Sequence, residues 1–442
     1  MVKRENSVLV IGGGVAGIQA SLDLAERGLP VYLVEKTPSI GGRMAQLDKT
    51  FPTMDCSICI LAPKMIEVSR QPNVKILTNS EVQEVSGEAG EFHVKILKKA
   101  RFVDESKCIG CGTCTTKCPI KCPDEFNMGL GERRAIYVPF VQAVPRIYTI
   151  DRERCLYLTK GMCRICEQFC GAEAVNFDQK DEVVELDIAS IVVATGFDLY
   201  DPSVLKKYGY GRYKNVLTAL EFERMISSTG PTNGKIIRLS DGAQPSTIAF
   251  IQCVGSRSLS EGYPYCSSVC CMFATKEAVL VKEHEPKTDV YIFYTDLMVF
   301  GKGFQDFANR ASGEWGVNYV VGAEPGEIRE NPVTSKLSFR YENVDGKINE
   351  FETDIVVLCN ALIPRRDSRK LADILGVDVD AYGFFRTQHL PAAPTETTRR
   401  GVFVCGCCQE PMDIPDAVTR ASSAAAKASE IAASTLLREA LQ

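Results

Sequence analysis

The chain has 442 residues, of which 45% are hydrophobic and 24% charged, and its formal net charge is −5. This length leaves room for two or three domains, and the mildly acidic balance gives no reason to expect a nucleic-acid partner. The longest apolar runs have the length of strands and fall short of a membrane span, and the first residues lead directly into a strand, unlike a secretory signal. We therefore expect a cytoplasmic protein without direct membrane insertion.

Cysteine is the unusual component of this composition, with 19 cysteines beside only 3 histidines. In a reducing cytosol, clustered cysteines bind metal more often than they form disulfides. Thiolates are also the ligands that iron–sulfur clusters use. The composition therefore predicts an iron–sulfur protein and argues against a histidine-based metal centre.

A strand, a glycine-rich turn, a helix and a second strand open the chain. The turn has the pattern G-x-G-x-x-G and follows the apolar run at residues 7–11. Gly12 and Gly14 allow the backbone to approach a pyrophosphate, and Gly17 allows the helix to pack closely on the strand. Glu35 ends the second strand, where an acid can bond ribose hydroxyls. Together these features predict a dinucleotide site.

Three further segments narrow the dinucleotide to FAD, because they resemble motifs of flavoproteins with two dinucleotide-binding domains. Gly42 and Arg43 belong to a Gly-Gly-Arg-Met segment after the second strand. Thr195 and Gly196 end an Ala-Thr-Gly turn that follows an apolar strand. Gly406 follows another apolar strand and occupies the place of the C-terminal flavin motif.

The C-terminal motif departs from its usual form at one point. Two cysteines follow Gly406, where an aspartate is usual. The acid that reaches the ribityl chain is therefore left open between Asp413 and Asp416. Ala417 and Val418 belong to the helix whose dipole is expected to face the flavin, and residues 415–441 are predicted to form that alanine-rich helix.

Cys56 and Cys59 form a C-x-x-C pair that follows the Gly-Gly-Arg-Met segment and precedes the Ala-Thr-Gly turn. This spacing is common in redox dithiols. A structural pair packed under the FAD is an equally good interpretation, so the role of the two cysteines stays open.

Residues 101–180 contain two ferredoxin-type cysteine motifs. The first, C-x2-C-x2-C-x3-C-P, is highly specific for an iron–sulfur cluster, and the second is looser. In two-cluster ferredoxins the last cysteine of each motif ligates the other cluster. One cluster is therefore expected on Cys108, Cys111, Cys114 and Cys170, and the other on Cys155, Cys163, Cys166 and Cys118, with Cys122 as the alternative to Cys118.

Residues 231–364 form a second predicted α/β unit, with strands at 247–253 and 290–294 and a helix at 270–284. In related flavoproteins this unit binds NAD(P), but here its first turn lacks the G-x-G-x-x-G pattern, so a nicotinamide site is doubtful. The region holds Cys253, Cys266, Cys270 and Cys271 instead. A cubane cluster takes four thiolates, and neighbouring cysteines suit such a cluster better than a strained disulfide.

These elements predict an α/β flavoprotein with two dinucleotide-binding domains, similar to thioredoxin reductase, and with an inserted α+β module that resembles a two-cluster ferredoxin. The expected domains are FAD-binding parts at 1–100, 181–230 and 365–442, the ferredoxin-like insert at 101–180, and an NAD(P)-domain-like module with a [4Fe-4S] cluster at 231–364.

The set C-x12-C-x3-C-C, followed by Met-x-x-Thr-Lys, resembles the flavin-binding A subunit of heterodisulfide reductase. The ferredoxin-like insert and the segment around Cys56 resemble the same family. The resemblance implies that the four cysteines of the second unit hold a [4Fe-4S] cluster beside the flavin. It also implies that Lys276 lies near the reactive edge of the isoalloxazine.

For function, the resemblance implies an electron-transfer subunit that passes electrons between FAD and three [4Fe-4S] clusters, in some members with electron bifurcation. It implies partners such as heterodisulfide reductase B- and C-like subunits or other iron–sulfur electron-transfer proteins, a homodimer, and anaerobic, sulfur-linked metabolism. We expect a short form, without the extra terminal regions of the methanogen proteins. The alternative is a stand-alone NAD(P)H-dependent disulfide reductase that uses Cys56 and Cys59.

Overall fold

The computed structural model of the chain describes residues 6–260, 262–322 and 325–440. These residues form two compact units. The first consists of the described parts of Met1–Ala45, Ile60–Phe197 and Pro364–Gln442. The second consists of the described parts of Gln46–Cys59 and Asp198–Ile363.

The described residues contain strands of two to nine residues. In chain order they are β1 (Val8–Ile11), β2 (Val31–Val34), β3 (Val74–Leu77), β4 (Ser80–Glu88), β5 (Glu91–Lys98), β6 (Lys121–Pro123), β7 (Glu132–Arg134), β8 (Ile136–Tyr137), β9 (Thr149–Ile150), β10 (Glu182–Ile188), β11 (Ser190–Val193), β12 (Phe197–Leu199), β13 (Val216–Thr218), β14 (Thr247–Val254), β15 (Asp289–Tyr294), β16 (Asn318–Val321), β17 (Arg329–Glu330), β18 (Leu337–Glu342), β19 (Ile348–Thr353), β20 (Ile355–Asn360), β21 (Leu362–Pro364), β22 (Thr387–His389), β23 (Ala393–Thr397) and β24 (Val402–Val404).

The helices of the described residues are, in chain order, α1 (Val15–Glu26), α2 (Ser57–Arg70), α3 (Thr113–Lys117), α4 (Leu156–Lys160), α5 (Ile165–Gln168), α6 (Ala219–Ile226), α7 (Cys270–His284), α8 (Phe304–Gly313), α9 (Ser368–Leu375) and α10 (Ile414–Ala440). None of them is both long and apolar enough to cross a lipid bilayer.

The first unit is built on a seven-stranded sheet with the order β22-β23-β24-β11-β1-β2-β3. Strand β1 runs parallel to β2 and to β11, with Val8 opposite both Val31 and Ser190. All four residues of β1 are buried, since a central parallel strand is covered on both faces. The order reverses direction at β1, so the turn after β1 opens at the point where doubly wound sheets bind ligands.

The long C-terminal helix α10 packs on this sheet, as the sequence predicted. The hydroxyl of Ser190 donates to the Ala428 carbonyl at 3.0 Å, and Arg27 donates to Ser429 at 3.0 Å. The helix begins at Ile414, one residue before the predicted start. Leu441, the predicted end, lies outside the described residues.

The cysteine-rich insert has a small core of its own inside the first unit. Phe102, Tyr148 and Ile150 are among the buried residues of this core. Val103 and Val175 pair as an antiparallel bridge, which brings the two ends of the insert together. The chain can therefore continue directly into β10 after the insert.

Hydrogen bonds connect the insert to the segment that follows β2 in the same unit. Ile40 donates to the Val144 carbonyl at 2.9 Å. The fully buried Arg101 donates to the Pro38 carbonyl at 2.7 Å. The insert and the segment after β2 are therefore held as one structure.

The second unit contains a five-stranded parallel sheet with the order β13-β20-β14-β15-β16, and a smaller antiparallel sheet of β17, β18 and β19. Its predicted elements agree with the structure closely. Helix α7 has the predicted bounds, and β14 and β15 each extend the predicted strand by one residue at one end. The agreement follows from the sequence of these strands, because parallel strands that are buried on both faces consist of nearly continuous apolar residues.

Candidate functional site

Glycine is required at two positions of the turn after β1. A Cβ atom at Gly12, where φ is +109°, would lie 2.3 Å from the Ala194 carbonyl oxygen. A Cβ atom at Gly17 would lie 1.8 Å from the Gly12 carbonyl oxygen. At Gly14, by contrast, the nearest heavy atom is the Gly42 Cα at 4.0 Å. The turn is therefore closed on the side of the sheet and open at Gly14, as a phosphate cradle requires.

The second glycine segment lies on the first turn. A Cβ atom at Gly42 would lie 2.8 Å from the Gly14 Cα, and Gly41 donates to the Gly13 carbonyl at 2.7 Å. Arg43 follows in a short 3-10 turn and is partly buried. The structure thus brings these two motifs together, although they are separated by about 25 residues in the chain.

Glu35 is fixed beside the turn by three hydrogen bonds. Its Oε2 accepts from the Gly13 amide at 2.7 Å, and its Oε1 accepts from the Thr37 amide and hydroxyl at 2.8 Å each. Carboxylate oxygens have further lone pairs, so the group can still accept from ribose hydroxyls. The residues around Gly14 and Glu35 therefore fit a dinucleotide.

The C-terminal flavin motif lies against helix α1. Gly406 has φ of +72°, and a Cβ atom there would lie 3.0 Å from the Ala16 Cβ. Gly196, with φ of +74°, occupies the turn after β11, where Thr195 precedes it. Ala417 is buried and Val418 is partly buried in the first turns of α10.

The structure separates the two candidate acids. The Oδ1 of Asp413 accepts from the Asp416 amide at 2.8 Å, which caps the N-terminus of α10. Burial raises the pKa of Asp413. Asp416 is exposed in the first helical turn. The carboxylate of Asp413 is therefore already used by the helix, while that of Asp416 is available.

The first insert motif surrounds a buried thiol. Cys114 lies in α3, and burial together with the neighbouring Cys108, Cys166 and Cys170 raises its pKa to about 12. Cys111 is exposed, and the backbone amide of the nearby residue Thr113 lowers its pKa. Burial raises the pKa of Tyr148, and the neighbouring Cys114, Cys111 and Cys108 raise it further, so this tyrosine lies beside the same thiols. The four predicted ligands thus share one neighbourhood.

The second insert motif lines a cavity that is partly open to solvent, with about 350 Å³ of empty space when the open part is included. Apolar side chains and four thiols form its wall. The thiols are those of Cys118, Cys155, Cys163 and Cys166. Burial, Cys155 and Cys118 raise the pKa of Cys166 to about 12. This cavity contains the predicted second ligand set.

Cys122, the alternative to Cys118, has a different environment. It is buried in β6, and Arg133 Nη1 donates to its Sγ at 3.2 Å. It does not line the 350 Å³ cavity, whereas Cys118 does. Of the two alternatives, the geometry favours Cys118.

The third cysteine set lines a cavity of the second unit that is partly open to solvent, with about 260 Å³ of empty space when the open part is included. Its wall includes all four predicted thiols, Cys253, Cys266, Cys270 and Cys271. Cys253 lies near the end of β14 with φ of +60°, and the vicinal pair begins α7. The end of a strand and the start of a helix therefore supply three of the four sulfur atoms.

Backbone amides and one ion pair surround these sulfur atoms. Cys266 Sγ accepts from the Ser268 amide at 3.3 Å, and Cys271 Sγ accepts from the Met298 amide at 3.4 Å. Arg257 and Asp296 pair at 2.5 Å in the cavity wall. Burial raises the pKa of Cys271 to about 11. The amides of Ser268 and Met298 are hydrogen-bond donors of the kind that stabilise thiolates, so the chemistry of the set fits a thiolate-ligated cluster.

Among the described residues, no group of three or more His, Cys, Asp or Glu side chains converges as a site for one metal ion. The cysteine sets line cavities instead.

Lys276 lies in a buried charge cluster that the sequence did not reveal. Its ammonium pairs with the Glu223 carboxylate, and both side chains are at most 2% exposed. Glu223 also accepts from the Asp48 amide at 2.7 Å. Burial and the charge of Glu223 raise the pKa of Glu277, which is buried. The signal available in the sequence was the presence of two acids and one arginine among the apolar residues of helix α6.

Cys56 and Cys59 form a disulfide at the start of α2. Neither cysteine lines the cavities of the other sets. Their pairing leaves both sequence interpretations, a redox pair and a structural pair, open.

Family models match two parts of the chain. The model described as FAD dependent oxidoreductase matches residues 7–56, which contain the glycine turn and Glu35. The model described as 4Fe-4S binding domain matches residues 101–124, which contain the first insert motif. The chain thus falls in the class of proteins that combine a FAD-dependent-oxidoreductase segment with a 4Fe-4S segment, and the predicted presence of FAD and iron–sulfur clusters is supported.

Curated relatives narrow this class. The chain is 50% identical over 430 residues to the iron–sulfur A subunit of the CoB–CoM heterodisulfide reductase of Methanocaldococcus jannaschii. It is 48% identical over 427 residues to the A subunit of the H(2):CoB-CoM heterodisulfide,ferredoxin reductase of Methanothermobacter thermautotrophicus. Each alignment covers 97% of this chain and 64% of the relative. The predicted resemblance to heterodisulfide reductase A subunits is therefore confirmed over nearly the whole chain, which spans slightly less than two thirds of the length of these relatives.

Solved structures support the fold. The thioredoxin reductase of T. acidophilum is similar with a TM-score of 0.53 and 15% identity, over 96% of this chain and 99% of that chain. The thioredoxin reductase of Lactococcus lactis gives a TM-score of 0.53 and 15% identity, over 97% and 99%. The predicted fold class, a thioredoxin-reductase-like flavoprotein with a ferredoxin-like motif, is confirmed.

Proposed function

We propose that this chain is the FAD- and iron–sulfur-containing electron-transfer subunit of a heterodisulfide-reductase-like complex. The observation that carries the proposal is the meeting of Cys253, Cys266, Cys270 and Cys271 around one cavity in the second unit. That cavity adjoins the turn after the first strand of an NAD(P)-like unit, where a pyrophosphate usually docks. A cluster there replaces a nicotinamide as the electron carrier.

When bound, FAD and [4Fe-4S] clusters supply the exchange between paired and single electrons. The first unit holds the FAD in this proposal. Its backbone at the glycine turn binds the pyrophosphate, its helix termini favour the negative charge, and Glu35 orients the ribose. The proposed FAD-binding residues are Gly12, Gly14, Gly17, Glu35, Gly42, Arg43, Thr195, Gly196, Gly406, Asp413, Asp416, Ala417 and Val418. Of the two acids, Asp416 is the better candidate for a ligand, because Asp413 caps α10.

Three ligand sets hold three clusters per chain in this proposal. The sets are Cys108, Cys111, Cys114 and Cys170; Cys118, Cys155, Cys163 and Cys166; and Cys253, Cys266, Cys270 and Cys271. Exposed Cys111 and Cys163 give the insert an outer face for electron exchange with other proteins. The hydrogen bonds from the insert to the segment after β2 support a fixed position of its clusters relative to the nucleotide turn.

Lys276 is proposed to act near the reactive edge of the flavin, as the family resemblance implies. Its ammonium is held by Glu223, so the side chain has one orientation within the second unit. A cation or donor at that edge favours the reduced, anionic flavin.

The proposed partners are heterodisulfide reductase B- and C-like subunits or other iron–sulfur electron-transfer proteins. The names of the relatives, which are subunits of heterodisulfide reductases, support partners of this kind. Electron bifurcation, a homodimer, a cytoplasmic location, an anaerobic setting and the predicted domain borders remain part of the proposal. The stand-alone NAD(P)H-dependent reductase is not favoured, because the relatives are subunits of complexes and the turn at Cys253 lacks the nicotinamide pattern.

Anaerobic purification followed by iron, FAD and EPR measurements tests the cofactor content. We expect about twelve iron atoms and one FAD per chain, from three four-iron clusters. About eight iron atoms, with no change in Cys270→Ser, would remove the cluster of the second unit from the proposal.

Anaerobic copurification from the source cells tests the partner assignment. Subunits with heterodisulfide reductase B- and C-like sequences, or another iron–sulfur protein, are expected to elute with the chain. Rapid flavin bleaching by NADH or NADPH in the isolated chain would favour the stand-alone reductase instead.

A further inference from the structure

Cys56 and Cys59 are cysteines that the proposed function does not use. They form a disulfide with Cα atoms 5.2 Å apart, while every other cysteine of the described residues is a free thiol. The pair begins helix α2, and its second member faces solvent. An exposed disulfide is open to attack by a thiolate, unlike the buried disulfides that serve only to stabilise a fold.

The two sulfur atoms have unequal environments. Cys59 is exposed, whereas Cys56 is partly buried. The Cys56 Sγ accepts a hydrogen bond from the Cys59 amide at 3.3 Å, in the first turn of α2. An amide at a helix N-terminus stabilises a thiolate. An attacking thiolate therefore reaches Cys59, and Cys56 is the better leaving group.

The loop that carries the pair is held by its own backbone. Lys49 and Cys56 form an antiparallel bridge, and the Ser57 amide donates to the Asp48 carbonyl at 2.9 Å. The Thr50 amide donates to the Asp55 carbonyl at 2.9 Å. These bonds do not involve the sulfur atoms, so they keep the two cysteines within disulfide distance when the S–S bond is open. The pair can therefore open and close without refolding of the loop.

We propose that Cys56–Cys59 is a thiol–disulfide exchange site that takes an electron pair from a dithiol. One thiolate of the donor attacks Cys59 Sγ, the Cys56–Cys59 bond breaks, and a mixed disulfide forms at Cys59. The Cys56 thiolate takes up a proton. The second thiol of the donor then attacks the donor sulfur that is bound to Cys59. This step releases Cys59 as a thiol, and the donor leaves with an internal disulfide. The donor loses two electrons and two protons, and the pair gains them.

The site does not depend on the proposed cluster function, since no ligand of the three sets takes part. Peptide mass spectrometry after thiol trapping tests it on the full-length holoprotein under argon. In a series of reduced and oxidised dithiothreitol mixtures, we expect both cysteines to become trappable together, as a two-electron couple. Iron and FAD content, measured on the same samples, shows whether the protein is intact.

The variants Cys56→Ser and Cys59→Ser form a matched pair that tests the order of attack. With oxidised glutathione as the disulfide probe, Cys59 in C56S is expected to form the mixed disulfide at least about tenfold faster than Cys56 in C59S. Equal rates, or faster reaction at Cys56, would overturn the assignment of Cys59 as the attacked sulfur. A wild-type pair that stays fully oxidised or fully reduced across the series, with iron and FAD intact, would overturn the exchange site itself.

Discussion

The insert and the second unit collect cysteines in two different ways. The insert takes its thiols from short helices and loops within one segment, and Cys111 and Cys163 remain exposed. The second unit takes its thiols from a strand end, a loop and the start of α7, and Cys270 and Cys271 are buried. The thiols of the insert therefore lie in a surface module and are close together in the sequence, whereas those of the second unit belong to the core of a larger fold.

The ion pairs of the two regions also differ in exposure to solvent. In the insert, Lys121 and Glu132 pair with 58% and 61% of their side chains exposed. In the second unit, Lys276 and Glu223 pair with 2% and 1% exposed. Exposed pairs contribute little to stability, whereas a buried pair that loses one partner leaves an uncompensated charge. The second unit should therefore respond more strongly to substitution.

The largest expected effect concerns the cluster of the second unit. Cys253→Ser is expected to remove about four iron atoms per chain, because a cubane needs four thiolates. Cys359→Ser is the matched control, since Cys359 is buried in the neighbouring strand β20 but does not line the cavity. Iron analysis and EPR of both variants measure the effect. Equal iron content in the two variants would contradict the ligand assignment.

A second pair of variants probes the insert. Cys118→Ser is expected to lower the iron content by about four atoms, and Cys122→Ser is expected to leave it unchanged. The reason is that Cys118 lines the 350 Å³ cavity, while Cys122 contacts Arg133. Iron loss in C122S with none in C118S would reverse the choice between the two cysteines.

The local motif explains why the insert could be predicted so fully from the sequence. The C-x2-C-x2-C spacing places three thiols on one turn and one short helix, so the pattern alone determines their proximity. The set in the second unit has no such code, because a long loop separates Cys253 from Cys266 and the loop conformation decides where they meet. Its ligand set was predicted from the number of thiols and the vicinal pair, together with the family resemblance.

The buried charges of the second unit could not be predicted, for a related reason. Asp48 and Glu223 are separated by 175 residues, and only the tertiary fold brings them together. The role of Asp413 as a helix cap was also missed. The sequence did contain the signal, because an aspartate one residue before a helix is a common N-cap.

A substitution at Lys276 tests the electrostatic side of the comparison. Lys276→Met is expected to lower the free energy of unfolding by about 3–5 kcal/mol, because Glu223 remains buried without its partner. Lys121→Met in the exposed pair of the insert is expected to cost at most about 0.5 kcal/mol. Anaerobic thermal and denaturant unfolding, followed by circular dichroism, measures both. Recovery of stability in the double variant Lys276→Met, Glu223→Gln would show that the unpaired carboxylate causes the loss.

Counted per pH unit, the smallest expected effect is a dependence of stability on pH that arises at the buried Glu277 of the second unit. Burial and the charge of Glu223 raise the pKa of Glu277 well above its ordinary value of 4.5. The folded protein therefore keeps a proton on Glu277 at pH values where the unfolded chain has released it. The free energy of unfolding must then fall as the pH rises above about 4.5, by at most about 1.4 kcal/mol per pH unit for this one group.

Glu277→Gln removes this group while keeping its shape, so the variant should lose that part of the slope. Denaturant unfolding of wild type and E277Q at several pH values between about 5 and 8 gives the two slopes. We expect the wild-type stability to fall more steeply than that of E277Q as the pH rises, because glutamine has no proton to release. Parallel slopes would show that Glu277 is ionised in the folded protein, and the insert and the second unit would then not differ in this respect.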